Sequence, residues 1–93
     1  MVISSFSHRG IKRFFENGSK AGIQPQHADK PGRILDRLNA AVVVEDMNFP
    51  GSNFHKLSGK LKEYYSVHVN GNYCVYFRFE NGNAYAVNYN DYH

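Results

Sequence analysis

From Tyr64 to His93 apolar and polar side chains alternate in three runs, separated by two Asn-Gly-Asn triplets. Runs rich in aromatic and β-branched residues, joined by residues that accept positive φ, predict a three-stranded antiparallel meander. Alternation assigns the faces. Tyr65, Val67 and Val69, then Tyr73, Val75, Phe77 and Phe79, then Tyr85, Val87 and Tyr89 share one apolar face if each hairpin loop holds three residues. A two-residue Asn-Gly turn would pair Phe79 with Ala84 and slip the third run to the wrong side. The opposite face carries Ser66, His68, Cys74, Tyr76, Arg78, Asn88 and Asn90. That face is too polar for a core, stays open, and is well stocked for a site.

Upstream the period changes from two to that of a helix. Ile11, Phe14 and Phe15 form an apolar stripe, with Arg9, Lys12, Arg13 and Glu16 around it. Ser5 or Ser7 is the expected cap, and Asn17-Gly18 the stop. Val2-Ile3 with Phe6 predicts a short edge strand before this helix. Residues 18–31 read as a connector. A second helix follows, with Asp29 as candidate cap, Pro31 in its first turn, and Ile34, Leu35, Leu38, Ala41 and Val42 at helical spacing. It frays at Val42-Val43-Val44, a poor helical sequence. Asn48 to Asn53 is a turn-rich loop leading to Phe54-His55-Lys56-Leu57-Ser58-Gly59 and the basic run Lys60-Leu61-Lys62. The predicted fold is α+β: a small antiparallel sheet, made of the N-terminal strand and the meander, covered on one face by two helices.

Composition narrows the class. A chain of 93 residues with 42% hydrophobic content reads as one globular domain over 1–93. No apolar run reaches the ~20 residues of a membrane span, and no signal-peptide core opens the chain. One cysteine excludes an internal disulfide and fits a reducing, cytoplasmic compartment. The net charge of +3 leans mildly toward a polyanionic partner.

The five histidines form no ligand-spaced pair, so no metal is expected, and no Gly-rich phosphate or dinucleotide fingerprint precedes a helix. No cofactor is implied. A triad of Cys74, His68 and Asp91 can be drawn, but a lone strand cysteine is more often inert. What remains is a kit for metal-free phosphodiester cleavage. It comprises histidines (His55, His93), a carboxylate (Asp91), a phenol (Tyr92) and cations (Lys56, Lys60, Lys62, Arg78). A base takes the 2′-OH proton, a cation steadies the phosphorane, and an acid protonates the leaving oxygen. Aromatics such as Tyr76 can stack an unpaired base. On composition alone, a solvated C-terminal tail and a loop histidine explain the same residues.

From about Ile34 onward the sequence resembles the HigB toxins of the RelE superfamily. The resemblance is carried by Glu45-Asp46-Met47-Asn48-Phe49-Pro50-Gly51, His55-Lys56-Leu57-Ser58-Gly59, Tyr64 to Asn72, Phe77 to Tyr85, and Tyr89-Asn90-Asp91-Tyr92-His93. Ile3-Ser4-Ser5-Phe6 and the Phe-rich helix fit as well. The resemblance implies a RelE-like fold and an mRNA interferase, a ribosome-dependent endoribonuclease cutting A-site mRNA. It implies His55, Asp91, Tyr92 and His93 as catalytic residues, and a helix-turn-helix (HigA-like) antitoxin through which alone the toxin meets operator DNA. Two positions depart from the family pattern. Ser58 stands where His-x-Leu-Lys-Gly has lysine, and Cys74 where Trp-Arg-Ile has arginine. An alternative reading is therefore a weakened toxin that binds its antitoxin and co-represses the operon. A generic RNA-binding α+β domain is a third.

Overall fold

The computed structural model describes residues 3–23, 29–70 and 73–91, with Asp91 as backbone only. Helix α1 spans Arg9–Asn17 and α2 spans Asp29–Ala40. The sheet comprises β1 (His55–Lys56), β2 (Tyr64–Asn70), β3 (Tyr73–Glu80) and β4 (Asn83–Asp91), antiparallel in the order β1-β2-β3-β4. Short 3-10 turns at Val44–Met47 and Gly59–Leu61 flank β1. None of the helices in the described residues is long and apolar enough to cross a membrane.

The meander forms, with its register set differently from expectation. Both hairpin ladders close on a two-residue spacing, Asn70 against Tyr73 and Glu80 against Asn83. In the second, Asn81 (φ 52°) and Gly82 (φ 79°) both take positive φ, as the preferred hairpin turn demands. Phe79 therefore does pair with Ala84, which faces the core, and Tyr85 goes to the opposite face beside Arg78. A bulge then restores the pattern. The ladder shifts by one residue between Tyr76 and Arg78, and Ala86 adopts φ 53°. Val87 and Tyr89 return to the core. A second shift, between His68 and Asn70, keeps Val69 buried in the first hairpin.

The core lies between this face and the helices. Ile11, Ile34, Leu35, Leu38 and Met47 meet Val67, Val69, Val75, Phe77 and Val87. Pro31 sits buried in the first turn of α2. The helix ends at Ala40, and Val42, expected on its apolar stripe, is 69% exposed. Asp46 organises the exit instead, its carboxylate accepting the N–H groups of Val42 (2.8 Å) and Val43 (3.2 Å). The cap of α1 is His8 rather than a serine: its Nδ1 accepts the Ile11 N–H at 3.0 Å. Gly18 ends that helix at φ 76°, its N–H on the Phe14 carbonyl. The chain beyond returns so close that a β-carbon on Gly22 would stand 2.6 Å from the Gly10 Cα.

The N-terminal segment pairs with the outer edge of β4 as two parallel bridges, Ile3 to Ala84 and Phe6 to Val87. Ser5 braces the bulge there, its Oγ accepting the Ala86 N–H at 2.8 Å. The opposite edge is β1, a strand in the stretch expected to be loop.

The face away from the helices is less open than expected. Ser66, Cys74 and Tyr76 are buried, His68 and Arg78 half-buried, and Asn90 exposed.

Candidate functional site

Directly opposed residues of antiparallel strands project to the same side. On the side away from the helices, His55, Ser66, Tyr76 and Asn88 form one row across all four strands. His68, Cys74 and Asn90 form the next, and Tyr64, Arg78 and Tyr85 the row on the other flank. The expected face is thus assembled, with His55 at one margin.

His55 is exposed, and its Nδ1 lies 2.8 Å from the Asn53 carbonyl oxygen. A carbonyl only accepts, so Nδ1 carries the hydrogen and donates. The neutral ring then presents the Nε2 lone pair, the form a general base needs. Asn53 holds φ 46°, which turns its carbonyl toward the ring.

Asp91, at the end of β4, pairs with Tyr73. It lies three strands across from His55 and three residues along, roughly 17 Å between backbones at ~4.8 Å per strand and ~3.3 Å per residue. The two do not share one proton-transfer position. Each sits at a different margin of the sheet. Tyr92 and His93 lie outside the described residues.

The expected cations are dispersed. Lys56 pairs with Tyr65 and therefore projects on the helix side, its Nζ 5.8 Å from the Tyr65 ring centroid. Lys60 and Lys62 are exposed around the Gly59–Leu61 turn, where Leu57, Ser58, Lys60 and Leu61 line a shallow hollow of about 310 Å³. Arg78 is on the site face but engaged: its Nη2 donates to Glu80 Oε1 at 2.6 Å and lies 3.7 Å from Glu63 Oε2. Its Nε is buried and lacks a hydrogen-bond partner among the described residues. Tyr76, expected to offer a stacking face, is only 7% exposed and packs edge-on to Tyr64 at 5.8 Å. Cys74, expected on an open surface, is 5% exposed. A phosphate-binding group there would have to be desolvated.

The pairing of Arg78 with Glu80 escaped sequence reasoning. Its signal was present, since residues two apart on a strand share a face. Also unforeseen is a cavity of about 300 Å³ at the uncovered end of β4, lined by His8, Ala21, Gly22, Ile23, Tyr73, Tyr89 and Asn90. There His8 meets Tyr89 edge-on at 5.7 Å, and burial lowers its pKa from the usual histidine value. Among the described residues no group of three or more His, Cys, Asp or Glu could hold a metal ion.

Residues 4–93 match the family described as RelE-like toxin of type II toxin–antitoxin system HigB. The chain is 36% identical over 92 residues to "Endoribonuclease HigB" of Proteus vulgaris, covering 99% of this chain and 100% of that protein. It is 30% identical over 81 residues to "Toxin HigB-1" of Vibrio cholerae serotype O1, with 85% of each chain covered. An uncharacterised protein of Haemophilus influenzae is 32% identical over 73 residues, covering 76% of this chain and 72% of that one.

Proposed function

This chain belongs to the HigB-like family of RelE-like toxins of type II toxin–antitoxin systems, and from that premise we propose that it is a metal-independent endoribonuclease acting on mRNA at the ribosome. The observation that carries the reading is His55. It is exposed at the margin of the polar sheet face, with Nδ1–H fixed on the Asn53 carbonyl and Nε2 presented as a base.

The chemistry is transesterification followed by release. Nε2 of His55 removes the 2′-OH proton, the 2′ oxygen attacks phosphorus, and the bond to the 5′ oxygen breaks. The products are a 2′,3′-cyclic phosphate and a 5′-hydroxyl end. The Asp91-Tyr92-His93 terminus, beginning at the far margin of β4, supplies the second proton-transfer group. Lys60 and Lys62 attract the phosphate backbone. Arg78 contributes once its carboxylate partners give way.

A type II toxin has an antitoxin partner. We assign it the helix-turn-helix class, with operator DNA reached only through it. A cytoplasmic site of action follows from that partnership. The engaged Arg78, with serine at position 58, also favours a second reading: a weakened toxin whose main role is to hold the antitoxin and co-repress.

Purified His55→Ala and Asp91→Ala should each cleave at least ~10²-fold more slowly in single turnover, at unchanged thermal stability. Induced expression of the chain lacking His93 should no longer arrest growth. Arrest by wild type that survives all three changes favours the binding role and removes the proposed chemistry.

A further inference from the structure

On the reading that this face cleaves RNA, we propose that His68 is a catalytic residue, its protonated imidazole holding a non-bridging oxygen of the scissile phosphate and stabilising the phosphorane.

Cleavage with 2′-OH attack builds negative charge on the phosphoryl oxygens, and a fixed cation or N–H donor there is the main electrostatic requirement. The structure disperses the cations best placed by sequence to supply it. Lys56 projects to the helix side over Tyr65, and Arg78 is engaged with Glu80 and Glu63. His68 meets the requirement by position. It pairs with Cys74, which places it on the site face, and Ser66 beside it pairs with His55. His55 and His68 are therefore diagonal neighbours on adjacent strands, with backbones ~7–8 Å apart. Two imidazoles at that spacing can bracket one phosphate, one facing the attacking 2′ oxygen and the other a non-bridging oxygen.

The backbone fixes His68 as well. Its N–H donates to the Ser52 carbonyl at 2.7 Å, and Ser52 is fully buried, so the strand is anchored where the loop enters β1. The half-buried side chain sits where a hydrogen bond to phosphate is less screened than at the exposed lysines. The titratable or charged groups sharing its face are His55 from β1, Cys74, Tyr76 and Arg78 from β3, and Tyr85 from β4. Glu80 and Glu63 are held on Arg78.

The role divides the two histidines by protonation state. His55 acts neutral, so its contribution is lost as pH falls. His68 acts charged, so its contribution is lost as pH rises. The test measures single-turnover cleavage of an end-labelled synthetic mRNA, free and on 70S ribosomes, from pH 5 to 9, for wild type, His55→Ala, His68→Ala and His68→Arg. Thermal melts are followed in parallel. His68→Ala should lose ~10²-fold or more. His68→Arg should stay within about tenfold of wild type, because a guanidinium provides a permanent charge and donors. It should also lose the fall in rate at high pH. Wild-type rates in His68→Ala, with His55→Ala inactive, would overturn the role of His68 and leave the site standing. His68→Arg that melts like wild type yet cleaves no faster than His68→Ala would do the same. Wild-type rates in both alanine variants would overturn the nuclease reading of this face altogether.

Discussion

At the scale of single residues, charge pairing decides which groups are ready to bind RNA. Arg78 Nη2 makes a 2.6 Å bond to Glu80 and approaches Glu63 at 3.7 Å, while its Nε is buried without a partner among the described residues. The pairs are partly exposed, and such bridges contribute little to stability. Their main effect is competition with phosphate. Glu80→Gln should therefore tighten binding of single-stranded RNA and steepen its salt dependence by up to about 0.7 in log–log slope, one added phosphate contact. Glu16→Gln, on the distant α1, makes the same change in net charge and should shift binding little. Equal effects of the two, measured by Kd against salt, would mean that Arg78 is not the phosphate ligand.

At the scale of elements, the exit from α2 shows how a side chain replaces propensity. The helix stops at Ala40, and the next N–H groups of Val42 and Val43 are taken by Asp46. Those two bonds hold the Asp46 carboxyl below its ordinary value, against a small opposing effect of desolvation. A carboxyl with a lowered folded pKa stabilises the fold above its unfolded value of about 3.9 and loses that contribution as pH falls through the lower folded value. Asp46→Asn should melt at a lower temperature than wild type near pH 7, with the gap closing in acid below pH 4. A gap that stays constant to pH 2 would mean that the charge on Asp46 contributes nothing.

The elements also show what a one-dimensional pattern can carry. Both helices, the three long strands and the core face through Phe77 were legible because periodicity reports burial directly. The second hairpin was not. Asn81-Gly82 is a strong two-residue turn signal, and the apolar alternation seemed to contradict it. The resolution is a bulge at Ala86, a residue type that carries no signal for φ 53°. Strand β1 was hidden because two exposed residues, His55 and Lys56, have no apolar period to read. The burial of Cys74 and Tyr76 was missed because their face was classed by polarity alone. The site residues were legible as a chemical kit, and the family resemblance ordered them. What alternation could not supply was the side on which Lys56 stands, which only pairing with Tyr65 decides.

At the scale of the whole molecule, the two faces of one sheet divide the work. The helix side holds the apolar core and the other side carries the polar rows, so changes to the site need not disturb the fold. The N-terminal segment closes the outer edge of β4 as far as Val87, and two-residue β1, with an exposed lysine, guards the other edge. RNA therefore has one face to approach, between His55 and the end of β4. The central claim is metal-free cleavage there by the 2′-OH, and the chemistry of the product ends tests it most directly. Purified protein is incubated with programmed 70S ribosomes, after preparation with EDTA and with only the magnesium the ribosome requires, and the new RNA ends are identified. The account predicts a 2′,3′-cyclic phosphate, or the 3′-phosphate it hydrolyses to, facing a 5′-hydroxyl, and no such ends with His55→Ala. A 3′-hydroxyl facing a 5′-phosphate, or the same ends from His55→Ala at the wild-type rate, would contradict it.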